Sequence, residues 1–455
     1  MSLEAVNPAT GELIREYEEM DAEQVAAIIE NAQQEFHSWR KVPFERRAEL
    51  MRAAADVLRR EKDEFARLMA LEMGKPVRDG RSEAEKCAWV CEYYAERAAE
   101  FLQEELVETD ARKSFVTYQP LGVILAVMPW NFPFWQVFRF AAPGLMAGNA
   151  AVLKHASNVP GCALAIERVF HEAGFPPALF RTLLIGSDKV EAVIRNPSVK
   201  AVTLTGSVPA GRAVAEIAGS EIKKTVLELG GSDPYVILSD ADVPAAAATC
   251  ATSRLINSGQ SCIAAKRFVV VRQHLDQFQG LLKARMGEVR MGDPLAEDTQ
   301  LGPQARRDLR DDLHRQVRES VEAGAELILG GEVPEGPGAY YPATILTGVH
   351  EGMPAYNEEL FGPVAAVIAV EDDDEAVEVA NDSFFGLGAA VFTRDQARGE
   401  RIAARELQAG ACFVNAFVRS DPRLPFGGVK WSGYGRELSE HGIREFVNIK
   451  TVYVG

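Results

Sequence analysis

Hydrophobic positions in the first hundred residues recur at helical spacing. Val25, Ile28, Ile29, Ala32 and Phe36 share one face, and Asp21 with Gln24 three residues on forms a capping box ahead of them. A second helix is predicted from Pro43, with Leu50, Ala54, Val57 and Leu58 on one face. A third ends at Gly74 with Pro76 just beyond, and a long one covers about 80–103. Residues 7–20 read as a turn and a short strand.

From about residue 114 the pattern changes. Strands are predicted at 115–118, 123–127, 151–154, 183–185 and 201–205, with helices at about 134–147, at 160–174 and from 209. This alternation implies βαβ units and a parallel sheet, with ligands at the carboxyl ends of the strands. After Glu228-Leu229-Gly230-Gly231 a second alternation begins, with strands at 235–238 and 268–271 and helices at about 243–257 and 275–286. A domain boundary is therefore expected near 230. The tail reads as a short helix from 439 and an apolar strand over 447–454. Such a strand needs a partner edge, which points to a subunit interface.

The bulk properties narrow the function. At 455 residues the chain is expected to hold two or three domains. With 66 acidic and 49 basic residues its net charge is −17, which argues against nucleic-acid or anionic-membrane partners. No apolar run is long enough to span a bilayer. Met1-Ser2-Leu3-Glu4 lacks the features of a secretory signal, so a cytoplasmic location is expected. The six cysteines (87, 91, 162, 250, 262 and 412) show neither a disulfide framework nor a metal-ligand spacing; no metal is expected, and Cys87 and Cys91 read as packing residues.

Several short stretches carry candidate chemistry. Asn257-Ser258-Gly259-Gln260-Ser261-Cys262 runs through small polar residues into the apolar strand 268–271, presenting one thiol at a turn. Glu228 leaves a buried strand ahead of two glycines, where a raised pKa suits a general base. In Pro129-Trp130-Asn131-Phe132-Pro133 the two prolines and bulky neighbours hold the Asn131 amide, as an oxyanion hole requires. Thr205-Gly206-Ser207-Val208-Pro209-Ala210-Gly211 closes a strand and opens a helix whose N-terminus suits a pyrophosphate. Lys154 ends a strand within reach of a ribose hydroxyl or a phosphate, and Glu359 and Phe361 stand two apart before a Gly-Pro turn, suited to a ribose and a flat ring. Taken singly, each of these also has an ordinary structural explanation.

Together with Pro425-Phe426-Gly427-Gly428-Val429-Lys430, these stretches resemble the aldehyde dehydrogenase superfamily, in that family's order and over residues 7–454. Within it the chain is most similar to bacterial succinate-semialdehyde dehydrogenases, through Met128 to Pro133, Lys154-His155-Ala156 and Glu228 to Pro234. The resemblance implies an α/β fold. It has a Rossmann-type cofactor domain (1–107 and 127–229), an α/β catalytic domain (230–438) and a small β oligomerisation arm (108–126 and 439–455). It implies NAD(P)-dependent oxidation of succinate semialdehyde, or a close acid aldehyde such as glutarate semialdehyde, by a homodimer or homotetramer. Other specificities, a CoA-acylating reaction and a non-catalytic binding relative remain the alternatives.

The same resemblance assigns roles. Cys262 is the nucleophile, Asn131 the oxyanion donor and Glu228 the base that hydrolyses a thioester. Trp130, Lys154, Ser157, Gly206, Ser207, Gly211, Leu229, Glu359 and Phe361 form the cofactor set. Ser157 stands where many NAD-preferring members carry Glu, so both NAD and NADP are expected to be used. Ala264 stands where some members carry a second Cys, so no redox disulfide is expected at the nucleophile. Arg139, eight residues after Asn131, and Ser420 match residues that hold the substrate carboxylate. Ile256 replaces a second Arg, for which Arg254 is the expected substitute.

Overall fold

The computed structural model describes residues 2–455; Met1, the first residue of the stretch read for a secretory signal, lies outside the described residues. A six-stranded sheet has the order Gly433–Tyr434, Lys224–Glu228, Val199–Thr205, Val123–Met128, Ala150–His155, Phe180–Thr182. Its last five strands are parallel, and Gly433–Tyr434 adds antiparallel to the edge. The chain enters this sheet at Val123–Met128, builds outward on one side, then returns to build on the other. The order therefore reverses between Val123–Met128 and Val199–Thr205, and a crevice opens beyond the carboxyl ends of those two strands. Pro129-Trp130-Asn131 and Gly206-Ser207 leave from those ends.

A second, seven-stranded sheet has the order Glu326–Leu329, Thr344–Thr347, Val364–Val370, Arg267–Val271, Pro234–Ile237, Gly388–Phe392, Ala411–Val414. Only its first pair is antiparallel. The central strands of both sheets are buried on both faces, which is why they read as unbroken apolar runs. Helices Ala22–Trp39, Phe44–Arg60, Val77–Phe101 and Trp135–Met146 share one hydrophobic core with the first sheet.

The helical pattern of the first hundred residues is realised closely. The Asp21–Gln24 capping box is formed, and Gly74 ends its helix in the left-handed region at φ 78°. The tail strand Val447–Val454 has its partner edge within the same chain, pairing antiparallel along Lys113–Pro120, with Glu105–Leu106 as a third strand.

Pairing divides the chain differently from the expected segments in three places. Val123–Met128 is a central strand of the six-stranded sheet, not part of the arm, while Glu105–Leu106 belongs to the arm sheet. Gly433–Tyr434 returns to the first sheet from a segment grouped with the second. The strand expected at 183–185 lies at Phe180–Thr182, because the ladder with Ala150–His155 stops at Leu153↔Thr182. Leu183 and Ile185 are buried by packing alone, and an apolar run cannot distinguish the two. A strand at Ser2–Val6, paired with Leu13–Glu18, was not anticipated.

Candidate active site

The helix Val243–Leu255 ends two residues earlier than its pattern suggested, and the backbone then turns left-handed. Asn257, Ser258 and Gly259 have φ of 52°, 56° and 76°. Left-handed geometry costs a residue with a Cβ about 1–2 kcal/mol, so two such residues in a row need support. The Lys266 ammonium, fully buried, donates to the carbonyls of Ser261 (2.9 Å), Cys262 (2.8 Å) and Ala264 (3.2 Å). Asn257 Nδ2 donates to the carbonyls of Asn131 (2.7 Å) and Gln260 (3.0 Å). Arg254 Nη2 donates to the Gly259 carbonyl at 2.7 Å. Arg254 is therefore not a substrate residue: it is wholly buried behind the loop and faces neither cavity described below. Its position two residues before Ile256 places it on the packed side of the helix end.

This loop presents Cys262 where two cavities meet. One, of about 250 Å³, is lined by Trp130, Asn131, Thr205, Gly206, Ser207, Leu229, Glu359 and Phe361. The other, of about 300 Å³, includes Lys75, Glu83, Lys86, Trp135, Arg139, Arg419 and Ser420 in its walls. Cys262 and Gln136 belong to both. Burial pushes the Cys262 thiol up to about 12, against the pull of Arg139 and Lys266, so it is a protonated thiol at neutral pH. Asn131 Nδ2 donates to the Gln260 carbonyl at 3.1 Å, which orients the amide beside the sulfur's loop. Glu228 ends its strand buried, and neither carboxylate oxygen has a hydrogen-bond partner. Its carboxylate packs toward Gly427 and lines neither cavity, while the next two residues, Leu229 and Gly230, line the first. Burial, then the nearby Glu437 carboxylate, hold its pKa well above the usual range, with Arg139 and Arg436 opposing.

The aldehyde dehydrogenase family model matches residues 1–452. The chain belongs to the aldehyde dehydrogenase family. It is 49% identical, over the full length of both chains, to a protein of Synechocystis named a probable succinate-semialdehyde dehydrogenase (NADP+). It is 50% identical, again over both full lengths, to a Mycobacterium tuberculosis protein named succinate-semialdehyde dehydrogenase (NADP+) 1. Among solved structures, the succinic semialdehyde dehydrogenase of Streptococcus pyogenes in complex with NADP+ superposes with a TM-score of 0.97 at 40% identity, covering 99% of each chain.

In this aldehyde dehydrogenase the smaller cavity lies at the reversal point of the six-stranded sheet and fits a dinucleotide. Gly206 and Ser207 precede the helix Val208–Ser220, and Ser207 caps it. Trp130 and Phe361 meet edge to face, with ring centroids 5.7 Å apart. Glu359 Oε1 accepts from the Gly231 N–H at 2.9 Å and lies 3.6 Å from Lys266 Nζ. Lys154 ends the neighbouring strand; it is nearly buried, yet makes no ion pair or side-chain hydrogen bond among the described residues. A desolvated ammonium without a partner suits a sugar hydroxyl or a phosphate oxygen. Ser157 is exposed just beyond it. Gly211 does not reach the cleft: it is buried within its helix, where a Cβ would collide with Leu229. Its part in the cofactor site is to let Leu229 pack.

The larger cavity contains charges the motifs did not announce. Arg139 is present, but its guanidinium is paired with Glu437, lies 3.3 Å from Thr205 Oγ1 and sits over the Phe426 ring. Lys75 pairs with Glu83. Glu83 Oε1 also accepts the N–H groups of Phe134 and Trp135, both at 2.9 Å, closing the start of the helix that carries Arg139. Lys86 Nζ donates to Ser420 Oγ at 2.7 Å. Asp79, Ser82, Glu83 and Lys86 form one face of the helix Val77–Phe101. The available signal was a Glu and a Lys three apart, flanked on that helix by Ala84, Cys87 and Ala88. Lys266 had a comparable signal, a lysine directly before a buried apolar run.

Two outcomes follow for this aldehyde dehydrogenase. Gly259→Ala must hold a left-handed φ and overlap the Gly362 carbonyl, so it is expected to lose roughly 2–4 kcal/mol in urea unfolding, together with its activity; unchanged stability would contradict the loop's geometry. Alkylation of Cys262 by iodoacetamide, read against Cys262→Ser, is expected to rise about tenfold per pH unit from 7 to 10. A plateau below pH 9 would show that the free thiol is activated without ligands.

Proposed function

We propose that this aldehyde dehydrogenase oxidises succinate semialdehyde, or a close acid aldehyde such as glutarate semialdehyde, to the carboxylic acid. One observation carries the reading: a single thiol is shared by the cleft at the sheet's reversal point and a chamber lined by Lys75, Lys86, Arg139 and Arg419. The names of the most similar relatives support the same substrate.

In this account the Cys262 sulfur adds to the aldehyde carbon, and the carbonyl oxygen takes the negative charge. The Asn131 amide and the Cys262 backbone N–H donate to that oxygen; one such donor is worth about 3–4 kcal/mol of barrier. The thiol proton passes to solvent water as the carbon–sulfur bond forms. Gly206-Ser207, Lys154, Glu359 and Phe361 would hold a nicotinamide dinucleotide, which would supply the hydride acceptor needed to take the Cys262 adduct to a thioester. Glu228 then takes a proton from the water that cleaves the thioester, and Cys262 is released as a thiol. For this the carboxylate must swing from its place beside Gly427 into the cleft; burial raises its pKa, which makes it a stronger base than an exposed carboxylate.

Ser157 puts no negative charge near Lys154 to oppose a 2′-phosphate, and the relatives above are named for NADP+. We therefore assign use of both NADP+ and NAD+. Leu106, Ile449 and Tyr453 are exposed on the arm sheet to 75%, 62% and 56%, which supports burial between subunits of a homodimer or homotetramer. No helix among the described residues is long and apolar enough to cross a membrane. Six free cysteines fit a reducing compartment such as the cytoplasm.

The test is NAD(P)H absorbance with succinate, glutarate and malonate semialdehydes and butanal, with both cofactors, with and without CoA. Preference for the four- or five-carbon acid without CoA is expected; strict CoA dependence or preference for butanal would overturn the proposal. Glu228→Gln is expected to release one equivalent of NAD(P)H in a burst and then turn over about 100-fold or more slowly. The same substitution should stabilise the fold. Because the folded pKa lies above 4.5, the folded state holds a proton that the unfolded chain gives up, so wild-type stability falls as pH rises above that value. The variant's gain in Tm should accordingly grow from pH 5 to pH 9; a gain that shrinks would contradict the burial of an uncompensated carboxyl.

A further inference from the structure

The charges facing the larger cavity can be paired off. Arg139 is neutralised by Glu437, Lys75 by Glu83, and Asp79 lies 3.5 Å from Arg78. Two cations remain with no carboxylate within 4.0 Å among the described residues. Arg419 is exposed on the loop before Ser420, and Lys86 is half-buried inside the wall.

Lys86 is held in place. Its ammonium lies over the Trp135 ring, 4.2 Å from the centroid, and donates to Ser420 Oγ. A hydroxyl that accepts on its oxygen keeps its own O–H to donate, and the Ser420 O–H has no acceptor among the described residues. Lys86 and Ser420 thus offer a cation and a neutral donor side by side in the wall of the chamber that also contains Cys262. Burial, followed by the charge on Arg139, pulls the Lys86 ammonium down to about 8, as expected of a cation lacking a counter-ion.

We propose that Lys86, positioned by Ser420 and Trp135, is the residue that anchors the carboxylate of the acid aldehyde, and that Arg139 shapes the chamber through its pair with Glu437. The proposal rests on the acid-aldehyde reading above and names the charge that would carry it. An arriving carboxylate accepts from the Lys86 ammonium and from the Ser420 hydroxyl, replacing a missing counter-ion without breaking an existing ion pair. Gripping the same carboxylate with Arg139 would first require competing with the buried Glu437.

The experiment compares wild type, Lys86→Met, Lys86→Arg and Arg419→Gln on succinate semialdehyde and on butanal, at saturating NADP+. Lys86→Met is expected to raise KM for succinate semialdehyde about 10- to 100-fold with kcat little changed. Its kcat/KM for butanal should stay within about threefold of wild type, and Lys86→Arg should recover most of the loss. Equal losses on both aldehydes would make Lys86 a packing residue and overturn the proposal. So would full retention of the acid preference in Lys86→Met, or a loss carried wholly by Arg419→Gln. If Lys86→Met does not fold, Lys86→Gln, which keeps a donor toward Ser420, is read by the same criteria. A wild type that does not prefer the acid over butanal would overturn the substrate reading and the anchor with it, whereas a wild-type preference that survives in the variant would overturn the anchor alone.

Discussion

One buried ammonium governs the geometry of the site. Lys266 sends hydrogen bonds to three carbonyls within the loop Ser261 to Ala264, and its charge lies 3.6 Å from Glu359 in the cofactor cleft. Leaving a buried carbonyl without a donor costs about 1–3 kcal/mol, so the loop's shape and this side chain are bound together. The consequences spread outward through contacts already described. The pinned loop presents Cys262 at the seam of two cavities, Asn257 ties that loop to the Asn131 backbone, and Gln260 receives the Asn131 amide. Glu83 then fixes the first turn after Asn131, and with it the helix that points Arg139 into the chamber.

Burial also sets the chemistry of the resting site. The same desolvation that raises the Cys262 thiol raises the Glu228 carboxyl, so burial opposes charge on both side chains. A protonated thiol resists oxidation and stray electrophiles, and the Glu228 carboxyl lies beside Glu437 without a hydrogen-bond partner. A charge arriving with a ligand would meet the Asn131 amide and the nearby cations already oriented. No second cysteine adjoins Cys262 in the sequence, since Ala264 occupies the position two residues on.

Much of this was legible in the sequence, for identifiable reasons. The parallel sheets were readable because their strands are buried on both faces and separated by helices with capping signals, and Cys262, Asn131 and Gly206-Ser207 stood out as candidates because each leaves the carboxyl end of such a strand or a helix end. What was hidden depended on partners distant in sequence. Arg254 looked like a substrate residue because its spacing from Cys262 was near enough, but the left-handed turn at Asn257 carries it behind the loop. Glu437, Lys75 and Lys86 carry no motif; their meaning comes from Arg139, Glu83 and Ser420, and Ser420 lies 334 residues from Lys86. The arm's boundary was missed because pairing, not sequence order, decides which sheet a strand joins.

The fold gives up stability in one place more than elsewhere. Asn131 Oδ1, both oxygens of Glu228, Asn257 Oδ1 and two nitrogens of Arg254 are buried without hydrogen-bond partners, and all belong to the segments that frame Cys262. Ordinary packing does not tolerate such a cluster, because each unmet group costs as much as several methylenes of burial recover. The neighbouring left-handed residues add strain in the same few turns of chain. Under the proposed mechanism, a site that accepts a developing oxyanion and a moving proton cannot have every donor and acceptor already satisfied. The three extensive cores around it, one with the first sheet and one on each face of the second, supply the surplus that allows this stretch to remain unsatisfied.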